Sequence, residues 1–163
     1  MKNEILHCGK ILIEKKLTLA FAESATAGYL TAQFSLVPHA GEFLKGGLAC
    51  YDAELKKSLL NVPQGLIDAF TPESMEVTIA MCRGLTQLIP ADIHIAVTGL
   101  TCPGGSETND KPVGTIFISA LLRGEKLFYG HFCFQGSEEE IISQTASQTA
   151  HLLLNEFQKI KDE

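Results

Sequence analysis

Hydrophobic residues recur along the chain at two spacings, one typical of helices and one of buried strands. In residues 4–16, apolar side chains return every three or four positions between charged ones, which predicts an amphipathic helix. The continuous apolar run at 17–22 predicts a strand that is buried on both faces. The same patterns, with their proline and glycine breaks, predict strands at 43–51, 93–97, 115–122 and 126–134, and helices from about 27, at 52–60, between 63 and 72, from about 71 to 88, and from 137 to about 159.

The order of these elements predicts an α/β fold. Helices alternate with the first three strands, which is the pattern of a mainly parallel sheet covered by helices on both faces. The last two strands are joined around Arg123-Gly124 and should add an antiparallel hairpin. No internal repeat or interdomain linker interrupts the pattern, and 163 residues suffice for one domain with a substantial core.

The turn Glu23-Ser24-Ala25-Thr26-Ala27-Gly28 joins the first strand to the next helix. Ser24 should therefore lie at the carboxyl edge of the sheet, where open α/β sheets usually build their sites, beside helix N–H groups without an intrahelical partner. In that position it could be a nucleophile with an oxyanion hole beside it. The alternative is that Ser24 or Thr26 caps the helix, which is the commoner role for these residue types at a helix start.

A second group of polar residues follows the second predicted strand. Tyr51 ends that strand, and Lys56 lies about one turn into a helix that Asp52 should cap. A lysine whose pKa is lowered by burial can act as a general base toward a serine, with a tyrosine hydroxyl assisting. The alternative is that Lys56 is an ordinary solvated helix lysine. Lys57 should point away from the crevice and be dispensable.

Residues 98–112 form a long predicted loop rich in glycine and proline. Residues 98–105 offer backbone N–H groups and hydroxyls suited to an anion or a ribose. They match neither a dinucleotide-binding fingerprint nor a P-loop, so a purely structural loop is the alternative. Cys102 is a rival nucleophile, but no histidine is spaced to activate it.

Composition excludes several classes of function. Thirteen basic against nineteen acidic residues give a net charge of −6, which leaves no basic surface for nucleic acid or an anionic membrane, although one local site could still bind a small phosphorylated substrate. The five cysteines are scattered, four of them in apolar surroundings, and neither they nor the five histidines have metal-ligand spacing. With no signal-peptide pattern and no apolar run that could span a bilayer, we expect a soluble, cytoplasmic protein.

Three blocks of the sequence together resemble the CinA C-terminal domain family. The turn Glu23-Ser24-x-Thr26-x-Gly28 resembles that family's Glu-Ser-Cys-Thr-Gly-Gly motif; Gly46-Gly47, Tyr51 and Lys56 match its second block; Thr98-Gly99, Pro103-Gly104-Gly105 and Lys111-Pro112-Val113-Gly114-Thr115 match its third. The likeness covers nearly the whole chain in order. It implies that residues 1–163 form a single domain with a three-layer α/β/α fold, to which full-length relatives add a second domain, and it suggests a homodimer.

The resemblance also implies an activity. It implies a nicotinamide-nucleotide amidase, which converts nicotinamide mononucleotide to nicotinic acid mononucleotide and ammonia. The resemblance implies that this reaction needs no metal or cofactor. Catalysis would fall on Ser24 as nucleophile, Lys56 as base and Tyr51 as the group that relays or orients the proton. Binding of a nucleotide-like small molecule would fall on Thr26, Gly28, Gly46, Gly47, Thr98, Gly99, Gly104 and Gly105.

The chain departs from the family pattern at several positions. Ala25 and Ala27 stand where relatives usually have Cys and Gly, and Thr101 and Cys102 bring larger side chains into the third block. Glu138 stands where relatives carry an arginine, and an acid near a phosphate would weaken its binding. Two alternatives therefore stay open: the same serine and lysine acting on a different amide or ester, and a nucleotide- or partner-binding relative that has lost catalysis.

Overall fold

Five strands and six helices follow this alternation in the computed structural model, which describes residues 3–159. None of these described helices is both long and apolar enough to cross a membrane. A short 3-10 turn at Ala40–Glu42 precedes the second strand. The helices are α1 (Asn3–Lys15), α2 (Tyr29–Ser35), α3 (Ala53–Leu60), α4 (Gln64–Phe70), α5 (Met75–Leu88) and α6 (Glu138–Lys159); the strands are β1 (Leu19–Glu23), β2 (Leu44–Ala49), β3 (Ile93–Gly99), β4 (Thr115–Leu122) and β5 (Glu125–Cys133).

The strands form one mixed sheet in the order β2-β1-β3-β4-β5. β1 pairs in parallel with both of its neighbours, β2 and β3. β4 runs antiparallel to β3, and β5 runs antiparallel to β4, so the predicted hairpin on a mainly parallel sheet is confirmed. Because β1, β2 and β3 point the same way, the segments that follow them meet at one edge of the sheet.

Helices cover both faces of the sheet, which confirms the three layers. α1, α2 and α6 pack on one face over a core that contains Phe21 and Phe34, whose ring centroids lie 5.1 Å apart. α3, α4 and α5 cover the other face, where Ala20 of β1 belongs to a smaller core with Met81 and Leu85. Each large apolar side chain that is fully buried contributes about 1.5–3 kcal/mol. The strand that leads into Ser24 is therefore anchored from both sides.

The predicted start of α5 is wrong. Its N-cap is Ser74, whose hydroxyl accepts a hydrogen bond from the Val77 N–H at 3.3 Å, rather than Thr71. Thr71 has φ 68° and ψ 159°, a backbone conformation that costs a β-branched residue about 1–3 kcal/mol. Residues 71–73 thus form a separate segment between α4 and α5, which we call the strap.

Two other predicted N-caps are confirmed. The Asp52 carboxylate accepts a hydrogen bond from the Glu54 N–H at 2.7 Å at the start of α3. At the start of α6, the Ser137 hydroxyl accepts from the Glu140 N–H at 3.3 Å, while the Glu140 carboxylate accepts from the Ser137 N–H at 2.7 Å. This reciprocal pair is a capping box, in which the cap and the third helical residue satisfy each other's backbone donors.

Candidate active site

The segments that follow β1, β2 and β3 enclose a cavity of about 180 Å³ at the carboxyl edge of the sheet. Ser24 and Ala25 line it after β1, Tyr51 lines it after β2, and residues 99–105 line it from the last residue of β3 onward. Glu73 reaches the same cavity from the strap. Pockets for drug-sized ligands begin at about 300 Å³, so this cavity fits one small group of a substrate, such as a carboxamide and the atoms beside it.

The side chain of Glu23 builds the turn that presents Ser24. Glu23 is fully buried at the end of β1. Its Oε2 accepts hydrogen bonds from the Thr26 hydroxyl at 2.6 Å and from the N–H groups of Gly28 and Leu30 at 3.0 and 2.9 Å. Its Oε1 accepts from the N–H and hydroxyl of Thr31 at 2.8 and 2.6 Å. The carboxylate thus satisfies the free donors at the start of α2 and stabilises its positive end.

This role of Glu23 was not predicted from the sequence. The available signal was an acidic residue directly after an apolar run and directly before a helix start. An acid in that position can serve the first free N–H groups of the helix, as a serine or threonine cap would.

The hydroxyl of Ser24 does not cap α2, so that interpretation of Ser24 is wrong. Gly28 holds the N-cap position with φ 97°, a left-handed conformation open to glycine, and no side chain at that position caps the helix. Ser24 is fixed by its own N–H, which donates to the Val97 carbonyl at 2.9 Å. Ser24 is only 5% exposed, and within residues 3–159 its hydroxyl has no hydrogen-bond partner. The hydroxyl is therefore available for chemistry at the cavity.

Two backbone donors next to Ser24 are also free. The N–H groups of Ala25 and Thr26 donate no hydrogen bond to any part of the chain that the structure describes. The next N–H, of Ala27, is already used by the Ser24 carbonyl at 3.2 Å. Free N–H groups directly after a nucleophile are what an oxyanion hole requires.

Lys56 is buried, so the alternative of a solvated lysine is wrong. It is 1% exposed on α3, and its Nζ donates to the Pro72 carbonyl at 3.3 Å. Burial lowers the pKa of Lys56 from its ordinary value of 10.5, while the charges of Glu73, Cys50 and Asp52 act to raise that pKa. Lys56 does not itself line the cavity; its ammonium group interacts electrostatically with Glu73, which does.

Tyr51 and Cys102 lie side by side in the cavity lining. Tyr51 is 64% exposed, and the side chains of Tyr51 and Glu138 lie close enough to the Cys102 thiol to influence its pKa. The neighbouring Glu138 carboxylate raises the pKa of the Cys102 thiol. A thiol held protonated is a weak nucleophile, so Ser24 is the better candidate. The same contact places Glu138 beside the cavity wall.

The strap is attached to the long loop after β3 by a network around Lys111. The Lys111 Nζ donates to the Thr71 hydroxyl at 2.6 Å, the Ser106 hydroxyl at 2.7 Å and the Glu73 carbonyl at 3.0 Å. The Ser106 hydroxyl in turn donates to the Glu73 carboxylate. These bonds hold Thr71 in its strained conformation and fix Glu73 at the cavity. Glu73 and Ser106 were not predicted as site residues, because no local pattern shows that residues 33 positions apart meet.

The predicted substrate-binding residues fall into two groups. Gly99, Gly104 and Gly105 line the cavity. The other five have structural contacts: Thr26 and Gly28 bind Glu23, the Thr98 hydroxyl is buried 2.7 Å from that of Thr78, and Gly46 and Gly47 lie within β2. A Cβ at Gly47 would lie 1.8 Å from the Thr31 hydroxyl oxygen, so close packing of β2 on α2 requires glycine there. For all eight residues, substrate binding stays a prediction.

Comparisons with a family model and with known proteins indicate the same family. The family model of the CinA C-terminal domain matches residues 3–157. A CinA-like protein of Dictyoglomus thermophilum is 37% identical over 131 residues, and one of Desulfotalea psychrophila is 35% identical over 146 residues. These matches cover 80% and 89% of this chain but 31% and 35% of the relatives, so the chain spans about a third of their length.

Solved structures agree with this similarity. A CinA superfamily protein from Escherichia coli has a TM-score of 0.87 at 26% identity, over 93% of this chain and 87% of that one. The competence damage-inducible protein A of Klebsiella pneumoniae has a TM-score of 0.85 at 26% identity, over 98% of both chains.

Proposed function

The chain belongs to the CinA C-terminal domain family, and from that premise we propose that its cavity is the active site of a serine amidohydrolase. The proposed reaction is hydrolysis of the carboxamide of nicotinamide mononucleotide to nicotinic acid mononucleotide and ammonia. One observation carries the proposal: the buried, unpartnered hydroxyl of Ser24 at a cavity, next to two free backbone N–H groups.

In the proposed first half-reaction, the Ser24 Oγ attacks the carboxamide carbon. Its proton passes to neutral Lys56, with the Tyr51 hydroxyl relaying or orienting it. The N–H groups of Ala25 and Thr26 stabilise the negative charge on the carboxamide oxygen, an effect of about 3–4 kcal/mol per donor in well-studied enzymes. Lys56 then returns the proton to the leaving nitrogen, ammonia departs, and the acyl group stays on Ser24.

In the second half-reaction, water replaces ammonia. By the same route past the Tyr51 hydroxyl, Lys56 takes a proton from the water as it attacks the acyl carbon, and the same proton returns to the Ser24 oxygen when the ester bond breaks. The products are a carboxylic acid and the free serine. The burial of Lys56 supports this role, because a base must be neutral before each attack and burial favours the neutral amine.

Replacement of Ser24 by alanine tests the proposal. We expect ammonia release from nicotinamide mononucleotide to fall by roughly 10³-fold or more, the scale on which loss of a catalytic serine acts. Because the Ser24 hydroxyl makes no hydrogen bond within the described residues, the free energy of unfolding should change by less than about 1 kcal/mol. Ser58→Ala, at an exposed position on α3, is the matched control. A folded Ser24→Ala protein with wild-type turnover would rule out the serine mechanism.

The contact between Glu138 and Cys102 favours a second form of the same proposal. A carboxylate beside the cavity repels a phosphate group that approaches along that wall. The same Ser24 chemistry would then act better on an amide that carries no phosphate there, such as the riboside of nicotinamide.

A further inference from the structure

Glu73 is the only charged side chain among the described residues that line the Ser24 cavity. Its Oε2 accepts a hydrogen bond from the Ser106 hydroxyl, whereas its Oε1 has no hydrogen-bond partner within residues 3–159. A carboxylate with one oxygen occupied and the other free can accept a donor from a bound molecule.

The position of this carboxylate is fixed by bonds to both its side chain and its backbone. The Ser106 hydroxyl that donates to Glu73 itself accepts from Lys111 Nζ at 2.7 Å. Lys111 also donates to the Glu73 carbonyl at 3.0 Å. A group held in this way loses little conformational freedom when a ligand arrives, and preorganised groups discriminate between ligands more strongly than mobile ones.

The substrate and the product of amide hydrolysis differ in what they present to such a group. A carboxamide offers two N–H donors, whereas the carboxylate product offers only acceptors and a negative charge. A fixed carboxylate beside the reacting carbon therefore attracts the amide and repels the acid. An ester lacks the N–H donors and leaves the carboxylate without its bond.

We propose that Glu73 is the group that selects a primary carboxamide in this cavity. Its Oε1 accepts an N–H of the scissile amide, and its charge expels the carboxylate that forms. This inference rests on the proposed function, since it concerns the same cavity and the same bond. Ser106 and Lys111 are positioning residues that act through Glu73.

Equilibrium binding in the Ser24→Ala background tests the proposal without turnover. Calorimetry would compare nicotinamide mononucleotide with nicotinic acid mononucleotide, and the two corresponding ribosides with each other. We expect the amide to bind about tenfold more tightly than the acid in each pair, equivalent to about 1.4 kcal/mol. Glu73→Gln should bring the amide and acid affinities to within about twofold of each other, since the neutral glutamine side chain no longer repels the acid.

Two further variants separate selection from general structural damage. Glu76→Gln, at an exposed position on α5, should leave the amide-to-acid ratio unchanged. Ser106→Ala should lower the ratio, but less than Glu73→Gln does, because the carboxylate remains while its anchor is lost. An unchanged ratio in Glu73→Gln overturns the inference, as does a ratio near one, or no binding of either pair, in the parent protein.

Ammonia release by the protein with Ser24 intact distinguishes this inference from the proposed function. Ammonia release together with an unchanged amide-to-acid affinity ratio in Glu73→Gln would support the amidohydrolase activity and show that Glu73 does not select the amide. If Glu73→Gln lost the amide-to-acid selectivity but the protein with Ser24 intact released no ammonia, the binding role of Glu73 would be supported and the proposed amidohydrolase activity would be overturned.

Discussion

Replacing Glu23 by glutamine removes one acceptor from the side chain that holds the Ser24 turn. Glutamine keeps one oxygen and turns the other into an NH₂ group. In one orientation that group faces the N–H of Thr31, and in the other it faces those of Gly28 and Leu30. A threonine hydroxyl can rotate to accept from the new NH₂ group, but a backbone N–H cannot become an acceptor.

The orientation that opposes only the Thr31 N–H is the less costly one. It leaves one half-buried donor unsatisfied, at about 1–3 kcal/mol, and turns three bonds to a carboxylate oxygen into weaker bonds to a neutral oxygen. Removal of a buried charge offsets part of this loss. We therefore expect the free energy of unfolding to fall by about 2–4 kcal/mol, out of the roughly 5–15 kcal/mol typical of a domain. The melting temperature should fall by roughly 5–15 °C.

Urea and thermal unfolding followed by circular dichroism measure this change, with Glu76→Gln as the exposed control, which should stay within about 0.5 kcal/mol of wild type. Ammonia release measures the effect on the site. Because a displaced nucleophile can cost about 10²-fold, we expect kcat to fall by about 10- to 100-fold while KM changes less. If Glu23→Gln lost less than about 1 kcal/mol of unfolding free energy, the five hydrogen bonds would not be what holds the turn.

The two neighbouring lysines of α3 should behave differently. Lys56→Met should lower kcat by about 10²- to 10⁴-fold, whereas Lys57→Met, which removes an ammonium already paired with the exposed Glu54, should leave it unchanged; equal losses would contradict the assignment. Burial lowers the pKa of Lys56 from 10.5, and the charge of Glu73 acts to raise that pKa. Because the neutral amine is the base, kcat should rise with pH through a value below 10.5. Glu73→Gln should move that rise to lower pH. A rise at the same pH would disprove this coupling. Glu138→Arg should increase kcat/KM for nicotinamide mononucleotide relative to its riboside by about tenfold or more; an unchanged ratio would show that residue 138 does not influence phosphate.

The architecture could be predicted because it follows from the order of apolar segments. β4 has the predicted limits of 115–122, since its apolar residues are bounded on both sides by turn residues. The start of α5 could not be predicted in the same way. Thr71 followed by proline is a common local start for a helix, but Lys111 and Ser106 bind the Thr71 hydroxyl from a distant loop. Tertiary contacts there override the local preference.

The residues of the site also differ in how far the sequence could predict them. Ser24 and Tyr51 could be placed at one cavity because the carboxyl ends of adjacent parallel strands meet. The burial of Lys56 could not, because it depends on how α3 packs against the strap and α5. The role of Glu73 was also out of reach, since its partners Ser106 and Lys111 lie beyond β3.

The donors at the start of α2 are satisfied by Glu23 on the preceding strand, and this affects how the protein can evolve. Where a serine both caps a helix and performs catalysis, any change of nucleophile also destabilises the fold. Here the hydrogen bonds that hold the turn belong to residue 23 and the nucleophile is residue 24, so residue 24 can change without loss of the fold. Ser24→Cys or Ser24→Ala should leave the turn standing, because the hydrogen bonds that form it belong to the neighbouring carboxylate. A lineage with this arrangement can exchange or lose its reaction while its architecture persists.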